Sequence, residues 1–210
     1  MHVFKQNVKR RTRKGFTLIE LLVVIAIVAI LSIVVLLTLN PAELLRQARD
    51  SNRISDLSTM KSAISLYLAD VSSASSTGDR NICYVDVSGA YGTTTTAGGC
   101  SAAFLASGTM TVTASTTMAN ARKVNGSGWI PINLTLISSG APIGQLGTDP
   151  LDNTGVNFYL YRPSSTYLTF KFATKMESSK YGTAGMPGDV VTTDGGVSAL
   201  YYEQGTDLSL

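Results

Sequence analysis

Lys14-Gly15-Phe16-Thr17-Leu18-Ile19-Glu20 opens a run that stays otherwise apolar to Leu39 and carries one carboxylate, Glu20, near its start. Phe16 to Leu39 is 24 residues. As a helix it measures about 36 Å, enough to cross a hydrocarbon layer of about 30 Å. Its β-branched residues, such as Val23, Val24 and Ile25, do not argue against a helix in lipid, where a single span must satisfy its own backbone. A lone acid in such a segment is costly and calls for a partner.

On the N-terminal side, Lys5, Lys9, Arg10, Arg11, Arg13 and Lys14 precede Phe16 and no acid does. That asymmetry predicts a cytoplasmic N-terminus with the rest of the chain outside. A secretory signal peptide fits poorly, because the apolar run is long and ends in Leu39-Asn40-Pro41 with no small-x-small site. A plain membrane anchor explains the length and the charges but not Glu20.

Arg13-Lys14-Gly15-Phe16-Thr17-Leu18-Ile19-Glu20-Leu21-Leu22 resembles the N-terminal signature of type IV pilins and of type II secretion pseudopilins. The resemblance implies cleavage by a prepilin peptidase between Gly15 and Phe16, with Phe16 becoming N-methylphenylalanine and Glu20 the fifth mature residue. It implies self-assembly into a helical filament, in which Glu20 pairs with the new amine of a neighbouring Phe16. Such a pair gains in a low dielectric and loses to desolvation, so its main benefit is register. An inner-membrane platform and a cytoplasmic ATPase are the other implied partners. Lipid holds the single-pass precursor in the inner membrane, and the product is an extracellular pilus or a periplasmic pseudopilus. The expected divisions are a leader over 1–15, a membrane and filament-core helix over 16–39, an amphipathic extension over 40–78 and a pilin-like head over 79–210.

The leader distorts the bulk composition. Setting its six cations aside from the 17 of the chain leaves 11 against 14 acids, a net of −3 rather than +3. No basic excess remains to suggest a nucleic-acid partner. The only histidine, His2, also lies in the leader, so a mature chain has no histidine base, triad or metal ligand. No nucleophile sits beside a plausible base, so an enzyme or ligand-binding domain on a tether is the remote alternative to a structural subunit.

Past Asn40, Pro41 either kinks the helix or opens a new one with Asn40 as its cap. Ile54, Leu57, Met60, Ile64, Tyr67, Leu68 and Val71 recur at three- and four-residue steps and predict one apolar face. Arg46, Arg49, Asp50, Arg53 and Asp56 are expected on the opposite, solvated face, with Arg46 and Asp50 paired at i,i+4. Ser72 to Gly78 ends the helix. Strands are predicted at Ile82–Val87, Val156–Arg162, Tyr167–Thr174 and Val197–Glu203. Ala102–Leu105 reads as a helical turn, Ser115–Val124 is ambiguous, and Trp129 reads as head core. The fold class is therefore α+β, a long N-terminal helix with its distal half laid on a small antiparallel sheet that has one covered face.

Cys83 and Cys100 are the only cysteines. Outside a reducing compartment an even count favours a disulfide, against the alternative of two free thiols. The bond would stabilise by roughly 3 kcal/mol in the chain-entropy model. Thr148-Asp149-Pro150, Asn153 and Phe158-Tyr159-Leu160-Tyr161 resemble the major pseudopilin head, which carries calcium in a late loop. Asp189 and Asp194 offer oxygen ligands of the kind calcium takes, although no EF-hand spacing is present and acidic turn residues explain them as well. Asn125-Gly126-Ser127 and Asn133-Leu134-Thr135 match a weak glycosylation pattern.

Overall fold

The computed structural model describes residues 15–71, 77–79, 81–88, 111–115, 118–151, 157–164 and 168–210. The chain divides into two compact units, Met1–Pro41 and Ala42–Leu210.

The first unit is built on helix α1, Leu18–Leu39. Residues Leu18–Leu36 are long and apolar enough to cross a membrane, and none is buried within the chain. The helix ends at Asn40, which takes a left-handed conformation with φ 39° and ψ 72°. Pro41 disfavours a right-handed helical residue before it, and asparagine is among the residues that tolerate the left-handed alternative. Pro41 then occupies the first position of helix α2, Pro41–Asp70, where its missing N–H costs nothing. Asn40 thus closes α1.

The second unit sets α2 against a five-stranded sheet. Strands β1 (Ile82–Ser88), β2 (Thr111–Ser115), β3 (Tyr159–Pro163), β4 (Phe170–Thr174) and β5 (Tyr202–Gly205) lie in the order β2-β1-β3-β4-β5. Four strands are antiparallel; β2 joins the edge parallel to β1. Parallel neighbours need a connection of about a dozen residues or more, and the segment 89–110 is long enough to provide one. Helices α3 (Met118–Ala121) and α4 (Ser179–Gly182) and a 3-10 turn at Leu134–Leu136 complete the described elements. Asn133 accepts the Thr135 N–H to cap that turn. The disulfide loop and the turn at Ala102–Leu105 lie outside the described residues.

Leu57, Met60, Ala63, Ile64 and Tyr67 of α2 join Tyr84, Tyr159, Tyr161, Phe170 and Phe172 in one core. The rings pack tilted or edge-on, with Tyr161 and Phe172 centroids 5.1 Å apart. Trp129 belongs to this core, 2% exposed, and its indole N–H donates to the Gly147 carbonyl at 3.0 Å. The sheet is not covered on one face alone. Every residue of β4 is buried, and Cys83, Val85, Leu160 and Ala173, on the face turned away from this core, are fully buried. Lys171 and Glu203 share that second face as an ion pair at 2.5 Å with both side chains buried.

The polar face expected for the first half of α2 is corrected more sharply. Asp50 and Arg53 are fully buried and Asp56 is half-buried. Arg46 pairs with Glu43 at 3.7 Å, not with Asp50. Arg53 donates to Asp149 through Nε at 2.6 Å and Nη2 at 2.9 Å, and to Asp50 through Nη1 at 2.6 Å. Its Nη2 also lies 2.5 Å from Glu177. Asp50 accepts the backbone N–H groups of Glu177 and Ser178, while Arg49 closes on Glu177 at 2.6 Å. Asp86 accepts the N–H groups of Asp149 and Tyr159. Burial alone would raise the Glu177 carboxyl's pKa, but Arg49 and Arg53 outweigh it and hold the group below the ordinary glutamate value.

Removing one member of a buried ionic cluster leaves uncompensated charge. Arg53→Ala is therefore expected to destabilise the second unit by about 3–5 kcal/mol. Urea denaturation of the full chain in detergent, followed by Trp129 fluorescence, measures it; a loss below about 1 kcal/mol would show the cluster to be marginal.

Candidate assembly site

Thr17 and Glu20 form a reciprocal cap at the start of α1. Thr17 is extended, with φ −82° and ψ 150°, and its side chain accepts the Glu20 N–H at 3.3 Å. The Thr17 N–H and O–H both donate to Glu20 Oε2 at 2.8 Å. This is a capping box, which satisfies two donors that a helix start leaves free. Glu20 also lies near the positive end of the helix dipole. The carboxylate is thus folded back on its own chain. Thr17 is the capping residue of α1, and the T-x-x-E spacing is its signal in the sequence.

Phe16, Ile19, Glu20, Val23 and Val24 line one open groove on α1. Phe16 is 82% exposed. Nothing lies within 4 Å of where a Cβ on Gly15 would stand. The chain's own packing therefore does not demand glycine at Gly15, and a reason for it must come from outside the described residues.

The other expected site residues do not converge with this one. Cys83 is fully buried on β1 and is not a free thiol; Cys100 lies outside the described residues. Asp189 accepts the N–H groups of Gly185, Val191 and Thr192 and the Thr192 hydroxyl. The Thr192 hydroxyl does most to hold its carboxyl below the usual range. Asp194 accepts Gly196 N–H at 2.8 Å and Glu203 N–H at 2.6 Å, and burial pushes its pKa up. Among the described residues, no group of three or more histidine, cysteine or acidic side chains is arranged to hold a metal ion. Asn125 and Asn133 each accept the N–H and hydroxyl of the residue two positions on, which is turn chemistry.

Residues 10–36 match the prokaryotic N-terminal methylation motif. The chain carries the type IV pilin and pseudopilin signature. No curated protein and no solved structure matches it. The motif spans the capping box and most of α1, and the second unit lies wholly beyond it. Together with the α+β, pilin-like fold it supports a pilin- or pseudopilin-type subunit, and α1 fits a membrane-anchored precursor.

With their oxygens engaged by backbone donors, Asp189 and Asp194 are expected to act on stability alone. Thermal melts of Asp189→Ala and Asp194→Ala should fall below wild type by equal amounts in calcium and in chelator. A calcium-dependent rise in wild type that either variant abolishes would assign the metal instead.

Proposed function

We propose that the chain is a prepilin, a structural subunit of a type IV pilus, cut between Gly15 and Phe16 and assembled through its N-terminal helix. The observation that carries this reading is α1 itself. It is an apolar helix whose residues Leu18–Leu36 are unburied among the described residues, and it opens on the methylation motif with an acid, Glu20, at the third position of the capping box. Once such a helix leaves lipid, bundling with copies of itself is the available way to bury it again. The subunit's own role is structural, and we assign it no enzymatic activity.

In this reading prepilin peptidase removes residues 1–15. An inner-membrane platform and an ATPase then drive extraction from the membrane. Glu20 changes partner, from its own Thr17 to the amine of a neighbouring Phe16. Cys83 bonds to Cys100, the other cysteine of the chain, and the closed segment steadies the head outside the cytoplasm. A type II secretion pseudopilin is the second reading. The feature that favours it is the Asp149-Pro150 turn, whose acid is 2% exposed and gripped by Arg53 just ahead of the aromatic strand β3.

Two measurements test the proposal. Intact mass of the membrane-extracted chain should show loss of residues 1–15 and gain of one methyl group; an unprocessed N-terminus would reduce α1 to a tether. Glu20→Ala should leave membrane insertion and head stability unchanged and lower fibre yield at least tenfold, read by electron microscopy and sheared-fibre assay. Normal yield from that variant would remove Glu20 from assembly.

A further inference from the structure

Lys171 and Glu203 meet on the second face of the sheet, where the surroundings are shaped to bring them together. Lys171 lies on β4 opposite Gly205 of β5, and Glu203 lies opposite Ala173. The two side chains thus share one face on the diagonal, a separation that long side chains can bridge. Two glycines permit the close approach. A Cβ on Gly205 would strike the Phe170 carbonyl and the Lys171 Cα, and a Cβ on Gly196 would fall on Glu203 Oε2. Both side chains are fully buried, and Cys83, Val85, Leu160 and Ala173 on the same face are buried with them.

The polar atoms of the pair are held unequally. Lys171 Nζ donates to the Leu208 carbonyl at 3.3 Å. Glu203 Oε2 accepts the Ser198 N–H at 2.9 Å. Asp194 fixes the loop that carries Ser198, accepting the Gly196 N–H at 2.8 Å and the Glu203 N–H at 2.6 Å. Glu203 Oε1 differs from these. Nζ stands 2.5 Å from it without the alignment of a hydrogen bond, and no other donor among the described residues reaches it. A buried ion pair repays its desolvation only where the geometry is good and the remaining lone pairs are bonded. Burial also lowers the pKa of the Lys171 amine, against the pull of Glu203, and so favours its neutral, nucleophilic form.

We propose that Lys171 and Glu203 condense into an isopeptide bond that clips β5 to β4. A proton passes from the ammonium to Oε1, which leaves a neutral amine beside a neutral carboxyl. Nζ then attacks Cδ. The Nζ–Cδ bond forms, the Cδ–Oε1 bond breaks, and Oε1 departs as water with two hydrogens that began on Nζ. Nothing is oxidised or reduced, and no co-reactant is consumed. The Ser198 N–H already sits on Oε2, where charge develops as Cδ becomes tetrahedral. The Leu208 carbonyl aims the nitrogen. In water the two ions are the stable form, but in this apolar site condensation removes both charges, and Oε2 keeps its donor. The product ties down a strand with little else to hold it: β5 has four residues and lies at the edge of the sheet. The inference does not depend on the filament reading.

The covalent mass of the chain tests it. The full chain is purified in detergent, unfolded, digested with trypsin and read by tandem mass spectrometry. Wild type should give a branched species that joins the peptides bearing Lys171 and Glu203, lighter than their sum by one water, with no cut after Lys171. Lys171→Arg keeps the cation but removes the amine, and should give linear peptides alone. The inference is overturned if wild type gives only linear peptides and its Lys171 is open to an acetylating reagent after unfolding, which is the result for an ordinary buried ion pair. A bond that joins Glu203 to another lysine, or that survives in Lys171→Arg, overturns it equally. The wild-type digest decides the matter by itself where the variant fails to fold.

Discussion

One guanidinium holds the head to its helix. Arg53 reaches Asp149 at the Asp-Pro turn, Asp50 one turn back and Glu177 at the end of the β4 connection. Through Asp50 and Asp86 the same cluster satisfies the backbone N–H groups of Glu177, Ser178, Asp149 and Tyr159. Buried donors of that kind are costly when unpaired. Two loops and the start of β3 are thereby fixed to α2 by polar bonds, while Leu57, Met60, Ile64 and Tyr67 fix the sheet to it by apolar contact. A hydrophobic isostere of Arg53 would fill the space and leave Asp50 and Asp149 without their cation, while Glu177 would keep Arg49.

This division of labour along α2 has a consequence at the surface. Because the first turns attach to the head through charged groups, their leucines are free to face outward. Further along, the inner face is apolar and the outer face is serine and threonine. Arg46 stays half-exposed in the first turns and Asp70 is exposed at the end, but the exposed residues from Ser51 to Ala69 are uncharged.

The apolar stripe of α2 and strands β1, β3 and β4 were legible because each follows a period of 3.6 or 2 that burial enforces, whereas of the strand expected at Val197–Glu203 only Tyr202 and Glu203 lie in β5, and Trp129 is placed in the core by its size. The burial of Asp50 and Arg53 is not legible from residue type, because charge ordinarily signals solvent. Yet Asp50, Leu57 and Ile64 stand seven residues apart, as do Arg53, Met60 and Tyr67. Both charges are thus aligned with core columns, and heptad alignment was the signal that outweighed residue type. Strand β2 escaped notice because its Thr-Val-Thr-Ala-Ser sequence is short and small-sided, and its pairing depends on a partner far away in the chain. The buried second face of the sheet could not be read from alternation, since β4 is apolar or ion-paired on both sides.

At the other end of the chain, the structure changes the meaning of Glu20. An acid in an apolar helix reads as a defect awaiting another subunit. Here its carboxylate already takes two donors from Thr17, so the unassembled chain does not present it bare. Under the proposed function, assembly is then an exchange of partners. A neutral hydroxyl and one N–H, both already bonded to a charged carboxylate, are given up for an amine of opposite charge, which adds a Coulomb attraction to the hydrogen bond. That difference favours the assembled state only where water is excluded, because solvent screens an exposed pair. In that proposal a bundle of α1 helices supplies the excluded environment. Under the same proposal, the capping box keeps the monomer's carboxylate satisfied before assembly, and the amine that cleavage would create makes leaving that state favourable.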